Sequence, residues 1–207
     1  MSLDGRTAMA SGESRWITGE AARSDVQHLR ARSDAIMTGV GTVLADDPSL
    51  TVRVDGLDDS FRQPLRVILD SHLRTPADAK LLDLPGETLL VSGAVDAGSE
   101  AHLVRSGVRV VTLPLQGGQL DLRAVLQYLG SLQINEVHLE SGATLCGALL
   151  QAGLIDELVI YMAPHLMGDA ARGLFALPGL AQMAQRIKLS INEIRAVGDD
   201  WRITARI

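Results

Sequence analysis

The chain has 207 residues, of which 46% are hydrophobic and 21% charged. This composition favours one α/β domain with a substantial core and excludes a disordered chain. The formal net charge is −6, so no overall positive field attracts nucleic acid or an anionic membrane. With Cys146 as its one cysteine, the chain can form no internal disulfide and no zinc site built from several thiolates.

The N-terminus and the apolar runs give expectations about location. No apolar run reaches the roughly 18–20 residues that cross a bilayer. Residues 1–9 lack the basic flank and apolar stretch of a signal peptide. We therefore expect a cytoplasmic protein with no membrane partner. The opening run Met1-Ser2-Leu3-Asp4-Gly5-Arg6 is typical of the end of a strand followed by a turn, so we expect an upstream segment to have been removed or separately encoded.

Short β-rich runs alternate with helical stretches along the chain. Predicted helices cover Glu20–Arg32 with Thr18 as N-cap, a short segment ending before Pro48, 99–106, a segment capped by Asp121 and running to Leu129, and 145–152. Predicted strands cover 35–38, 50–54, 65–70, Thr88–Ser92, 108–113, 136–140, 157–163, 186–197 and 201–207. This order predicts a single domain over 1–207, with a mostly parallel sheet, helices on both faces and a C-terminal antiparallel hairpin turning at Gly198-Asp199-Asp200.

The run Glu140-Ser141-Gly142-Ala143-Thr144-Leu145-Cys146-Gly147-Ala148 follows a predicted strand and opens a helix. Small residues there let backbone N–H groups approach a phosphate, whose charge a helix N-terminus favours. The glycine spacing matches a P-loop, but Ala148-Leu149 replaces the Lys-Ser/Thr pair, so nucleotide hydrolysis is not expected. Taken alone, the motif fits a tight, closely packed turn equally well.

Other motifs are weaker. Gly39-Val40-Gly41-Thr42 lacks the third glycine of the dinucleotide fingerprint, and an ordinary turn is the better interpretation on this evidence alone. His138-Leu139-Glu140 matches the His-x-Glu of zinc deaminases, but the Pro-Cys-x-x-Cys that completes that site is missing from the sequence, which excludes a deaminase and any metal site of that kind. For one of the adjacent carboxylates Asp46 and Asp47, which precede Pro48, we expect only a role in capping or ending local structure while facing water.

Arg30 and Arg53 are candidate anion clamps, because a guanidinium can hold a phosphate through two hydrogen bonds. The alternative for each is a solvated position, on a helix face for Arg30 and at a strand end for Arg53. Cys146 stands near a predicted helix N-terminus, but no histidine is placed beside it, and we expect a small buried apolar residue there.

Taken together, several segments resemble the reductase domain of the riboflavin-biosynthesis deaminase–reductase, in the same order along the whole chain. The matching segments are 2–8, 12–18, 29–31, 42–53, 66–71, 140–148, and Ala163-Pro164 with Gly168. The resemblance implies a three-layer dihydrofolate-reductase-like fold, NADPH as hydride donor and 5-amino-6-(5-phosphoribosylamino)uracil as substrate, whose ribosyl group becomes ribityl. It also implies a homodimer and a deaminase domain upstream in the native chain.

Functional roles carry over by the resemblance. Expected substrate contacts are Ser14, Arg30, Leu50, Arg53 and Glu140. Expected cofactor contacts are Trp16, Thr42, Asp46, Ser71, Gly142, Ala143, Thr144, Leu145, Cys146, Gly147 and Ala148. We add Arg74, which stands close to Ser71 and has the charge to meet the 2′-phosphate of NADPH. For the proton donor we expect Asp46 first and Glu140 second.

Two alternatives stay open. One is a reductase of the same fold that acts on a pterin or folate. The arginine pair and the 3% aromatic content argue for a phosphate-bearing substrate instead. The other is a non-catalytic module that binds the cofactor or forms a dimer.

Overall fold

The computed structural model describes residues 1–54, 56–58, 60–93, 98 and 100–207. These residues form two compact units. One contains 1–26 and 143–207, and the other contains 27–142. The strands are β1 (Arg6–Ala8), β2 (Ala35–Gly39), β3 (Leu65–Leu69), β4 (Thr88–Ser92), β5 (Val108–Thr112), β6 (Leu115–Gln116), β7 (Gln119–Leu120), β8 (Val137–Leu139), β9 (Glu157–Met162), β10 (Arg172–Gly173), β11 (Ser190–Val197) and β12 (Asp200–Arg206). The helices are α1 (Glu20–Arg32), α2 (Val40–Asp46), α3 (Leu122–Ser131) and α4 (Ala143–Gln151).

The 27–142 unit is built on the predicted parallel sheet, whose strand order is β5-β4-β3-β2-β8. Its central strands are continuous buried runs rather than alternating ones, as parallel strands usually are. Ile36, Ile68 and Leu90 are completely buried on three adjacent strands and pack with Leu81 and Leu103. The apolar runs therefore form the core of this unit, as the sequence predicted.

Asp121 caps α3 as predicted, because its carboxylate accepts hydrogen bonds from the backbone N–H groups of Arg123 and Ala124. The predicted cap of α1 is wrong by one residue. The first helical hydrogen bond runs from the N–H of Arg23 to the carbonyl of Gly19, so Gly19 rather than Thr18 occupies the cap position. The N–H of Gly19 donates to Asp200 at 2.7 Å, which fixes the start of the helix from outside.

The prediction of a strand over 50–54 is wrong. This segment has no strand partner among the described residues, and side chains take the partner's place. The Gln63 amide accepts from the N–H of Val52 at 2.7 Å and donates to its carbonyl at 3.0 Å. The Gln27 amide oxygen accepts from the N–H of Arg53 at 2.8 Å. The β-like composition predicts a strand, but backbone groups can be satisfied by side chains as well as by a neighbouring strand.

The prediction of a helix over 99–106 is also wrong for the residues that the structure describes, which exclude 99. Residues 100–103 form turns, with the N–H of Leu103 donating to the carbonyl of Glu100. Arg105 then forms an isolated antiparallel β-bridge with Val108, and Gly107 adopts a φ of +78° where the chain enters β5. The segment is too short to complete a helix before this reversal.

The other unit contains a three-stranded antiparallel sheet with the order β11-β12-β9. The predicted hairpin is confirmed, since Val197 pairs with Asp200 across Gly198-Asp199. On one face of this sheet, Asp25 of α1 accepts hydrogen bonds from Tyr161, Arg195 and Arg202, one from each strand. Helix α1 is thereby attached to all three strands. None of the described helices has the length and apolar character needed to span a bilayer.

Candidate active site

Several predicted site residues of the 27–142 unit lie at one edge of its sheet. Glu140 directly follows β8, Thr42 lies in α2 directly after β2, and Ser71 lies just beyond β3. These three strands are neighbours, and their carboxyl ends point the same way because they are parallel. The carboxyl edge of an open parallel sheet is where α/β proteins bind ligands.

Arg30 and Glu140 form a two-pronged ion pair at this edge. Nε of Arg30 donates to Oε1 of Glu140 and Nη2 donates to Oε2, both at 2.6 Å. Nη1 of the same guanidinium donates to the carbonyl of Thr51 at 2.8 Å. Arg30 therefore connects the end of β8 with the 50–54 segment, and the fork that we expected to face a phosphate is occupied by a carboxylate.

His138 is a second donor to Glu140, with Nε2 lying 3.1 Å from Oε1. Burial by itself raises the pKa of Glu140, but hydrogen bonds from Arg30 and His138 and the charge of Arg30 outweigh it and lower the pKa to about 2. The Glu140 side chain keeps a quarter of its surface exposed. An ionised carboxylate with accessible surface is suited to accept hydrogen bonds from a ligand and unsuited to donate a proton near neutral pH.

The 50–54 segment carries two of the expected substrate contacts. Leu50 is buried, with a φ of +48°, and Arg53 is exposed. Within the described part of the chain, no ion-pair partner is found for the Arg53 guanidinium. The structure thus brings Arg30, Glu140 and this segment together and leaves Arg53 as the cation that faces solvent.

The adjacent carboxylates Asp46 and Asp47, at the end of α2, have different environments. Val40 and Val43 face the core, Thr42 is half-buried and Asp46 is exposed. Asp47 ends the helix with a φ of 41°, and its carboxylate accepts from the N–H of Lys80 at 3.0 Å. Of this pair, Asp47 has the structural role that we expected for one of them.

The loop after β3 presents Ser71 and Arg74. The hydroxyl oxygen of Ser71 accepts from the N–H of Leu120 at 3.3 Å, and its carbonyl accepts from the N–H of Gly93 at 3.2 Å. Ser71 is half-buried and Arg74 is exposed. Ser71 is therefore held by β7 and by the end of β4, and its hydroxyl proton remains able to donate.

The two glycines of the 140–148 motif differ. A Cβ added to Gly142 would meet nothing within 4 Å, and this residue is exposed. A Cβ added to Gly147 would lie 1.9 Å from the carbonyl oxygen of Ala176. Packing within the protein explains glycine at 147, whereas it gives no reason for glycine at 142.

The remaining expected contacts belong to the unit formed by 1–26 and 143–207. Ser14 is half-buried, and Trp16 is 71% exposed with the Arg23 guanidinium 4.4 Å from its ring centroid. Helix α4 begins at Ala143, two residues earlier than predicted. It carries Ala143, Thr144, Leu145, Cys146 and Ala148, of which only Thr144 is exposed. Cys146 is half-buried rather than fully buried.

Sequence reasoning missed three partners of the site. Gln27 and Gln63 hold the 50–54 segment, and His138 contacts Glu140. The two glutamines gave no signal, because their contacts join positions far apart in the chain. The contact of His138 with Glu140 did have a signal, because side chains two residues apart on a strand point to the same face.

The chain is similar to known proteins over nearly its whole length. Residues 1–203 match the family model of the RibD C-terminal domain. The riboflavin biosynthesis protein RibD of Escherichia coli is 48% identical over 208 residues, which cover 96% of this chain and 56% of the relative. The 5-amino-6-(5-phosphoribosylamino)uracil reductase of Buchnera aphidicola is 32% identical, covering 94% of this chain and 97% of the relative. The solved structure of Acinetobacter baumannii RibD superposes with a TM-score of 0.86 at 43% identity, covering 99% of this chain and 55% of that chain. The chain thus spans about half the length of the RibD relatives.

Proposed function

The chain belongs to the RibD C-terminal domain family and has its dihydrofolate-reductase-like fold, and we propose that it is an NADPH-dependent reductase of 5-amino-6-(5-phosphoribosylamino)uracil in riboflavin biosynthesis. The observation that carries the proposal is the carboxylate group of Glu140, which is held by Arg30 and His138 at the carboxyl edge of the sheet. The relative from Buchnera, which this chain matches along nearly all of its length, is named for this activity.

Glu140 and Arg53 divide the recognition of the substrate in this proposal. Both Glu140 oxygens already accept from Arg30, and Oε1 also accepts from His138. Each carboxylate oxygen has about two acceptor sites, so Oε2 retains one for an N–H or O–H of the substrate. Arg53, which is exposed, binds the 5-phosphate. Arg30 acts mainly by fixing Glu140 and the carbonyl of Thr51.

The residues at this edge also fit a dinucleotide. Gly41 and Gly142 are exposed, and a Cβ at either would meet nothing within 4 Å. Backbone free of side chains is what a pyrophosphate needs for close approach. Ser71 and Arg74 are suited to the 2′-phosphate, and we retain Trp16, Thr42 and the 142–148 run as further contacts. When bound, NADPH would supply the hydride that reduces C1′ of the sugar to the ribityl level.

Proton delivery falls to Asp46 in this scheme. Once the ribosylamine ring opens, C1′ is double-bonded to nitrogen, and a proton placed on that nitrogen makes C1′ more electrophilic. Glu140 is ionised near neutral pH, which leaves Asp46 as the better proton donor. Asp46 is exposed at the end of α2, where its carboxyl group is accessible to a bound ligand.

The test is to mix the purified chain with NADPH and the ribosylaminouracil phosphate. We expect NADPH oxidation and a product heavier by two hydrogen atoms. In single turnover, Asp46→Asn should slow hydride transfer by roughly 100-fold or more if Asp46 is the acid. Asp47→Asn is the matched control, because the neighbouring carboxylate ends the helix, and it should stay close to wild type.

Other outcomes decide against parts of this scheme. NADPH binding without turnover would favour the non-catalytic module, and oxidation of NADPH only with a dihydropterin or dihydrofolate would favour the other reductase. A near-normal rate with weaker NADPH binding in Asp46→Asn would reduce Asp46 to a positioning role.

We propose that the protein acts as a homodimer in the cytoplasm and that its native context includes a deaminase domain. The exposed apolar side chains Ile194 and Trp201 of the antiparallel sheet support the dimer. The partial coverage of the RibD relatives supports a second domain in those proteins.

A further inference from the structure

A buried carboxylate lies directly behind the loop that carries Ser71 and Arg74. Asp70 follows β3 and is completely buried. Its Oδ2 accepts from both the N–H and the hydroxyl of Thr75, each at 2.7 Å. Thr75 is itself 2% exposed. These two bonds close the residues between Asp70 and Thr75 into a loop.

The same loop is fixed at three further points. The N–H of Asp70 donates to the carbonyl of Val91 at 2.9 Å, which ties the start of the loop to β4. The N–H of Leu73 donates to the Asp70 carbonyl at 3.2 Å. Leu73 has a φ of 47°, an uncommon value for a residue with a side chain, and it packs against the core. Arg74 follows this anchored residue and is exposed.

A carboxylate is a costly choice for this position. Burying one is unfavourable unless hydrogen bonds compensate it, and an apolar residue would fill the same space without that cost. Within the described part of the chain, the other oxygen of Asp70 has no hydrogen-bond partner, and neither has the buried hydroxyl of Ser92. Polar groups kept inside a core at such a cost are typical of functional sites rather than of packing.

We infer that Asp70 and Thr75 are positioning residues which hold Ser71 and Arg74 in place for the 2′-phosphate and thereby set the preference for NADPH over NADH. The inference rests on the proposed function. Both residues are buried, so they act on a bound cofactor through the loop that they close. The hydrogen bonds of the Thr75 hydroxyl and N–H fix the backbone next to Arg74 and thereby restrict the position of its side chain. A contact between Arg74 and a phosphate is sensitive to that position.

The experiment compares Thr75→Val, which keeps the shape and removes the hydroxyl, with Thr75→Ser, which keeps the hydroxyl. For Thr75→Val we expect the KM for NADPH to rise about fivefold, the factor that one net hydrogen bond corresponds to, with little change in the KM for NADH or in kcat. Thr75→Ser should restore wild-type values. Asp70→Asn, if it folds, should change the NADPH preference in the same direction.

Arg74→Gln separates this inference from the proposed function. In that background, Thr75→Val should have no further effect on the NADPH preference, because two residues that act through one contact are not additive. Equal increases in the KM for NADPH and NADH, or additive effects, would show a structural role and overturn the inference. Wild-type protein that prefers NADPH and loses the preference in Arg74→Gln but not in Thr75→Val would overturn the inference alone. Wild-type protein with no NADPH preference would overturn both.

Discussion

Gly142 and Gly147 belong to one motif, but the protein's own packing requires glycine at only one of them. The Ala176 carbonyl occupies the space that a side chain at 147 would need, while position 142 faces open space. The sequence left two interpretations of the motif, a closely packed turn and a phosphate-binding turn. The structure separates them by position, since the packing interpretation accounts for Gly147 and leaves Gly142 available for a ligand.

We therefore expect opposite results from two matched substitutions. Gly147→Ala should lower the free energy of unfolding by about 1–3 kcal/mol, because a backbone carbonyl must move to admit the methyl group. Gly142→Ala should change it by less than about 0.5 kcal/mol and should weaken NADPH binding. Denaturant unfolding and cofactor titration measure the two effects. Unchanged stability in Gly147→Ala would contradict the packing argument. Unchanged NADPH binding in Gly142→Ala would contradict a role of this backbone in binding phosphate.

At the scale of elements, the three-stranded sheet has two unlike faces. The register pairs Arg195 with Arg202 and Arg202 with Tyr161, and these side chains surround Asp25 of α1. The alternate positions are apolar in all three strands. They are Ile194 and Ala196 in β11, Trp201 and Ile203 in β12, and Ile160 and Met162 in β9. An apolar face of this kind is typical of a protein–protein interface.

Ile194→Arg tests whether this face forms the proposed dimer. A charge at the centre of an apolar interface loses its water without gaining a partner, so the variant should sediment as a monomer at concentrations where the wild type is a dimer. Leu166→Arg is the control, because Leu166 is an exposed apolar residue outside the sheet. A dimeric Ile194→Arg variant, or dissociation in both variants, would argue against this face.

Sequence patterns predicted the regular elements well and the irregular ones poorly. Buried runs such as β3 and β4 carry their signal locally, as does the Asp121 cap. The 50–54 segment has strand-like composition, but its hydrogen bonds depend on Gln27 and Gln63, which no local pattern connects to it. The same limit applies to the site. Its residues are expected from the resemblance, whereas only the structure shows that the Arg30 guanidinium is bound by Glu140 and the carbonyl of Thr51.

For the molecule as a whole, the charge state of Glu140 links stability to pH. Its pKa is lowered from 4.5 to about 2, so the ionised form stabilises the folded state. That contribution is present above pH 4.5 and is lost as the pH falls towards 2, and it amounts to roughly 3 kcal/mol. Other carboxylates with lowered pKa values, such as Asp25 and Asp34, act in the same direction.

Glu140→Gln should therefore flatten the acid side of the stability profile. Its free energy of unfolding should lie below that of the wild type near neutral pH, and the two should converge as the pH approaches 2. Urea unfolding at a series of pH values measures this. Parallel profiles would mean that the ionisation of Glu140 does not contribute.

The segment that carries Leu50 and Arg53 can be varied to change which substrate the protein recognises. It is held by two glutamine amides and one arginine, and none of the described strands pairs with it. Its composition can therefore be altered while the hydrogen bonding of the neighbouring sheet is left intact. A library confined to the other positions of 50–54, with Gln27, Arg30, Arg53 and Gln63 retained, is accordingly a suitable starting point for redirecting this scaffold to other sugar phosphates.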